Sequence, residues 1–191
     1  MLRLFLAVNF SDEVKARLLE IQDRLRTQCL RGNFSRPENL HLTLAFIGET
    51  PEEKLESIFR IIDDIKTPSF DVPFNRTGCF SRTRAVFRQD RGSPPPGRKE
   101  LWWIGAEPDS PGLKLLKTLH ERLLHRFLDA GFSVDVRPFN AHITLGREIK
   151  RLEPVVLDCP ELTVRVDRVS LMKSEHISGV LTYTELSART L

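Results

Sequence analysis

Two short stretches decide how this chain reads: Leu40-His-Leu-Thr-Leu-Ala-Phe-Ile-Gly48 and Ala141-His-Ile-Thr-Leu145. Each carries a His-x-Thr-Leu unit, His41-Leu42-Thr43-Leu44 and His142-Ile143-Thr144-Leu145. On a β-strand, residues i and i+2 point to one face, about 6.5–7 Å apart. The His and Thr of each unit then share a face, while Leu42, Leu44, Ile143 and Leu145 point to the opposite one, where a core can take them. A helix would scatter both sets, so only the strand reading separates polar from apolar.

Working outward, the elements around the two units repeat in order. Residues 2–10 read as a strand buried on both faces. Ser11 is a good N-cap, and Val14, Leu18, Ile21 and Leu25 recur at helical spacing to about Gln28. Arg31–Asn39 reads as a loop leading into the first unit. Thr50-Pro51-Glu52-Glu53 reads as a capping box, opening a helix through Leu55, Ile58, Phe59, Ile62 and Ile65. Short strands are predicted near 70–75 and 83–88. Arg88–Glu100, with three consecutive prolines, is the clearest loop.

Then the pattern returns. Leu101–Ala106 is a strand, Ser110-Pro111-Gly112 opens a helix ending near Gly131, residues 132–136 are extended, and the second unit follows. At the C-terminus, Leu162, Val164, Val166 and Val169 alternate, with Val180–Leu186 as hairpin partner across 174–179. Phe46 shares strand parity with Leu42 and Leu44, so packing is its expected role. The fold class predicted is α+β and bilobal: two pseudo-symmetric lobes, each with a largely antiparallel sheet and flanking helices, and a cleft between them. Residues 1–191 form one such domain, internally duplicated about the units at 41–44 and 142–145.

Bulk composition agrees with a cored globule. Of 191 residues, 40% are hydrophobic and 29% charged, which excludes a disordered chain. No stretch has the roughly 18 apolar residues of a membrane helix. The apolar N-terminus runs straight into charged residues without a small-residue cleavage site, unlike a secretory signal. Cys29, Cys79 and Cys159 are odd in number and widely spaced, which fits reduced thiols in a cytoplasmic protein rather than disulfides or zinc. A net charge of +3 permits a polyanionic partner without demanding one.

Chemically, a neutral imidazole accepts a proton and a protonated one donates it, and an ordinary pKa of about 6.5 suits both roles. Threonine hydroxyls donate to non-bridging phosphate oxygens. Two His-Thr pairs thus supply what hydrolysis of a cyclic phosphodiester needs: a base for water, an acid for the leaving oxygen, and donors for developing charge. Arg147, three residues beyond Thr144, offers a bidentate phosphate contact. Neither unit has Asp, Glu or Cys beside it, so no metal and no other cofactor is expected.

The paired motifs, about a hundred residues apart, resemble those of the 2H phosphoesterase superfamily. More narrowly, the chain is similar to the RNA 2′,3′-cyclic phosphodiesterases historically called 2′-5′ RNA ligases. The resemblance covers nearly the whole chain, including Arg3–Ala7, Pro37–Gly48, Pro138-Phe139 and the Val169–Ser174 stretch. It implies a cleft lined by both histidines, with His41 protonating the leaving 3′-oxygen and His142 activating water to leave a 2′-phosphate. Thr43 and Thr144 would hold phosphate oxygens. Arg147 stands five residues after the second His, where the family commonly places an arginine. Gly146 and the proline-rich 88–100 loop depart from the family pattern, so substrate length and base preference do not carry over.

The partners implied are RNA ends bearing a 2′,3′-cyclic phosphate, tRNA fragments among them, met by a cytoplasmic monomer with no membrane attachment. Competing readings are reversible 2′-5′ ligation, a phosphodiesterase of small cyclic nucleotides, and a non-catalytic RNA-end binding module. Other residues read more plainly. His120 lies on a helical apolar stripe and should pack. His125 should be exposed. His176 should sit in a solvated turn beside Gly179. Arg82, Arg84, Arg88, Arg91, Arg98 and Lys99 form a basic cluster suited either to RNA phosphates or to a solvated loop. Trp102 and Trp103 read as core.

Overall fold

The computed structural model describes residues 1–81, 99–151 and 153–191. In chain order the elements are β1 (Leu2–Asn9), α1 (Asp12–Arg26), β2 (Arg31–Phe34), β3 (His41–Thr50), α2 (Leu55–Asp63) and β4 (Phe70–Ser81). After these come β5 (Glu100–Ala106), α3 (Pro111–Asp129), β6 (His142–Lys150), β7 (Leu162–Val166), β8 (Arg168–Ile177) and β9 (Val180–Thr190). The predicted strand at 83–88 and most of the 88–100 loop, with Arg82, Arg84, Arg88, Arg91 and Arg98, lie outside the described residues.

The α+β class holds. Among the described residues all strands join one antiparallel sheet of order β7-β4-β5-β6-β3-β1-β8-β9, with β2 added alongside β6. Four strands lie on the β3 side of the β3–β6 junction and five, counting β2, on the β6 side, and that junction is narrow: Leu42 opposite Ile143 is its one bridging pair among the described residues. The two predicted sheets are therefore joined edge to edge by the strands carrying the His-x-Thr units.

One face of the sheet and the inner faces of the three helices form a single apolar cluster that includes Leu42, Leu44, Ile143 and Leu145, each at most 1% exposed. The helices start where their caps predict. The Ser11 hydroxyl accepts from the Val14 N–H at 3.3 Å, and the Ser110 hydroxyl from the Leu113 N–H at 3.2 Å. Each such cap contributes about 1 kcal/mol.

Four expectations are corrected, and that of an extended segment at 132–136 is made more specific. Thr50 ends β3, and its hydroxyl donates to the Gly48 carbonyl instead of capping a helix; a 3-10 turn over Glu52–Lys54 precedes α2. Phe46 points outward beneath the Arg3 guanidinium, because irregularities in the β1–β3 register at Leu44 and Ile47 break strict alternation. Residues 31–34, read as loop, form β2. Gly32 permits this, since a Cβ there would overlap the Ile149 side chain of the neighbouring strand. Residues 132–136 form no sheet strand and are tied to β3 by the Asp135 N–H donating to the Phe46 carbonyl. Finally, β8 and β9 run on to a tight turn at Ser178-Gly179, both with positive φ (51° and 79°), as a two-residue hairpin turn requires. His176 is consequently a strand residue, not a turn residue.

Candidate active site

Opposite the helix-covered face, the sheet carries the polar members of both units. His41, Thr43, His142 and Thr144 are all half-buried. Continuing the Leu42–Ile143 register in the antiparallel sense sets His41 across from Thr144 and Thr43 across from His142. The strand reading of both motifs is thus met, and the two units meet at one place.

Each imidazole is held from behind by the same device. His41 Nδ1 donates to the Asn39 carbonyl at 2.7 Å, and His142 Nδ1 donates to the Asn140 carbonyl at 2.8 Å. A carbonyl only accepts, so Nδ1 carries the proton and Nε2 is the nitrogen left for chemistry. A 3-10 turn over Pro37–Asn39 presents the first carbonyl. Sequence reasoning passed over this device although its signal is present: Arg36-Pro-Glu-Asn-Leu-His-Leu-Thr-Leu44 and Arg137-Pro-Phe-Asn-Ala-His-Ile-Thr-Leu145 share Arg, Pro, Asn, His, Thr and Leu at equal spacing.

The surroundings then diverge. The His41 ring lies 5.0 Å from Phe5 and 5.2 Å from Tyr183, with the latter edge-on at 88°. Phe5 and Tyr183 belong to a small apolar cluster with Ala7 and Met172 on this face of the sheet. His41 Nε2 also accepts from the Thr43 hydroxyl at 3.0 Å. His142 faces the edge of Phe80 at 5.7 Å, and Phe80 in turn tilts against Trp103 at 5.3 Å. Gly105, paired with His142, leaves room for the Trp103 ring: a Cβ there would stand 2.6 Å from its Cζ3.

These settings lower both pKa values. Burial above all, with added repulsion from Arg147 and His142, pushes His41 down to about 4, against the opposing pull of the Asn39 carbonyl. Burial also lowers His142, with Arg147 adding to it and the Asn140 carbonyl opposing. Both settings therefore favour the neutral imidazole while the cleft is empty, more strongly than in the unperturbed side chains assumed from sequence.

The cleft beside the two units has a volume of about 690 Å³. His41, Thr144 and Arg147 line it, with Phe34, Phe80 and Tyr183 among its walls. Arg147 is exposed and pairs across to Asn33 of β2. Gly146 allows that approach, since a Cβ there would press Asn33 O at 3.3 Å. At the β5–β6 end, Lys99 pairs with Glu148 at 2.6 Å. Beneath it, Glu100 and Arg151 form an ion pair at 3.1 Å with both side chains at most 1% exposed, and Trp102 Nε1 donates to the same Glu100 oxygen at 2.7 Å. Trp102 is core, as predicted, whereas Trp103 belongs to the site face.

The remaining histidines divide. His120 is 7% exposed, donates to the Leu44 carbonyl at 2.7 Å and stacks on Phe139, a packing role as expected. His125 is exposed. His176 is exposed, as expected, but stands on β8 rather than in a turn and lines the cleft. The three cysteines are free thiols, and no helix among the described residues is long and apolar enough to cross a membrane.

His41, Thr144 and Arg147 line the cleft, while His142 and Thr43 are not among its lining residues and stand beside it at the β3–β6 junction, a set of groups suited to moving protons about a bound phosphate. Comparison with known proteins points the same way. The model of LigT-like phosphoesterases matches residues 8–87 and 107–182. The RNA 2′,3′-cyclic phosphodiesterase of Archaeoglobus fulgidus is 32% identical over 82% of this chain and 78% of its own. That of Thermotoga maritima is 31% identical over 91% and 87%. Among solved structures, apo LigT of Escherichia coli superposes with a TM-score of 0.78 at 25% identity, covering 99% of this chain and 96% of that one. TT0787 of Thermus thermophilus superposes at 0.74 with 29% identity over 99% and 97%.

Proposed function

The chain belongs to the LigT-like phosphoesterases, and from that premise we propose that it opens terminal 2′,3′-cyclic phosphates on RNA to 2′-phosphomonoesters, by two-histidine acid–base catalysis without a metal. One observation carries the reading: the two His-x-Thr units sit on adjacent strands at the Leu42–Ile143 pair, each imidazole fixed through Nδ1 so that Nε2 is its reactive atom.

In this mechanism the cyclic phosphate lies between the two Nε2 atoms. His142 takes a proton from water as the water oxygen attacks phosphorus. The P–O3′ bond breaks, and His41 gives its proton to the departing 3′-oxygen. The products are a 2′-phosphate and a 3′-hydroxyl, and the proton gained by His142 returns through solvent to His41. Thr43, Thr144 and Arg147 hold the non-bridging oxygens. His41 is neutral in the empty cleft, so the phosphate's negative charge must raise its affinity for a proton when substrate enters. The Thr43 hydroxyl, which donates to neutral Nε2, can rotate and accept from the protonated form.

The same reading takes residues 1–191 as one two-lobed domain built on an internal duplication, supported by the runs β7-β4-β5-β6 and β3-β1-β8-β9 on either side of the junction and by the repeated Arg-Pro-x-Asn-x-His-x-Thr-Leu phrase. The test is direct. Purified protein in EDTA, given an oligonucleotide with a 2′,3′-cyclic phosphate end, should yield the 2′-monophosphate. A 3′-monophosphate would reverse the roles of the two histidines. Activity that requires added metal would remove the mechanism.

A further inference from the structure

Building on that reading, we infer that His176 and Arg36 form a second phosphate subsite, which receives the phosphodiester on the 5′ side of the terminal nucleoside and so favours RNA ends over cyclic mononucleotides. The argument begins with the β8–β9 ladder. Tyr183 pairs with Ser174 and touches His41, while the next rung on the same face is Leu181 with His176. Two residues along a strand advance about 6.5–7 Å, close to the stride of one nucleotide on an extended chain. His176 therefore stands about one nucleotide from the reacting phosphorus, measured along a wall of the cleft that Tyr183, Leu181 and His176 all line.

Arg36 is brought to the same place by a separate tether. Asn39 Nδ2 donates to the Leu181 carbonyl at 2.9 Å, and the Asn39 N–H donates back to the Arg36 carbonyl at 2.9 Å. One turn of backbone thus carries Arg36 from the His41 support to the hairpin, where it too lines the cleft. Its side chain is about half exposed and its Nε meets Glu38 at 3.3 Å, a surface pairing that a phosphate can displace.

Charge gives the direction of the RNA. At the β5–β6 end the lysine and both acids that line the cleft are engaged in ion pairs, Lys99 with Glu148 and Glu100 with the buried Arg151. The hairpin end presents the Arg36 guanidinium and the hydrogen-bonding His176 ring instead, so a polyanion leaving the catalytic centre is drawn by Arg36 toward the hairpin. The two-residue turn at Ser178-Gly179 fixes the hairpin, so the subsite is preformed.

The experiment compares two substrates, a nucleoside 2′,3′-cyclic monophosphate and a dinucleotide ending in the same cyclic phosphate. In His176→Gln and Arg36→Gln, KM for the dinucleotide should rise about five- to tenfold with kcat held, while KM for the mononucleotide stays within about twofold. Replacing the internal phosphodiester by a neutral methylphosphonate should weaken the wild type by the same factor and add nothing to the double variant. Equal losses on both substrates, or no loss on either, would overturn the subsite. If the wild type hydrolyses neither substrate, the proposed function fails independently. Calorimetry with a 3′-phosphorylated dinucleotide against a nucleoside 3′-phosphate then decides the subsite alone: tighter dinucleotide binding that both variants abolish supports it, and equal binding refutes it.

Discussion

His41 packs against Phe5 and Tyr183, which also touch each other, with Thr43 bonded to its Nε2, whereas His142 lies edge-to-face with Phe80 and makes no bond to Thr144 among the described residues. Both come from the same nine-residue phrase and share the same carbonyl support. The difference lies in what the rest of the sheet brings against them: an apolar cluster from β1, β8 and β9 on one side, and β4 with the Trp103 ring on the other. The shared local pattern thus fixes tautomer and direction, while non-local packing sets proton affinity. The deeper ring is driven to about 4, and its counterpart is lowered as well.

The largest expected effect erases the comparison altogether. His41→Ala and His142→Ala should each lower kcat by about 10²–10⁴, the usual worth of a positioned acid or base, with thermal melting little changed. A variant that keeps most of its activity would remove its histidine from the mechanism. Next comes the foundation of the His142 side. Arg151→Met leaves Glu100 charged, buried and without its cation, and should cost about 3–5 kcal/mol in urea unfolding. A loss below 1 kcal/mol would mean that the pair is not structural.

Smaller effects sharpen the contrast. Tyr183→Ala should admit water to His41 and move its pKa from about 4 toward the ordinary imidazole value, seen as a shift of the acidic limb of kcat/KM to higher pH. In the wild type, that profile reports the free protein and should peak below pH 6.5, with the kcat profile displaced to higher pH by the bound anion. A kcat/KM optimum above pH 7 would contradict the lowered values. The smallest effect is on stability. His41 binds a proton near 6.5 when unfolded and only near 4 when folded, so between those values the unfolded chain holds more protons and stability falls as pH falls. His41→Gln should flatten that slope in denaturation curves between pH 6.5 and 4.

Much of this site was legible in the chain because its information is local. Period-two alternation placed His41, Thr43, His142 and Thr144 on one face, and the serine caps placed α1 and α3. What was not legible depends on partners distant in sequence. Residues 31–34 become a strand because β6 offers an edge and Gly32 clears Ile149. Phe46 leaves the core because β1 imposes irregular register. His176 enters the cleft because β8 runs farther than its apolar alternation suggested, to a turn that Ser178 completes with positive φ. The paired asparagines are a different case. Their side chains differ in use, but it is their carbonyls that hold the imidazoles, and a side-chain search overlooks a backbone role.

The account's central claim is that both Nε2 atoms address one phosphoryl group. It is tested most directly by titrating a nucleoside 2′-phosphate into protein carrying ¹⁵N-labelled histidine and following both rings by NMR. One equivalent should move the Nε2 signals of His41 and His142 together and raise the pKa of each, with His120 and His125 unmoved. A response confined to either ring would contradict the claim.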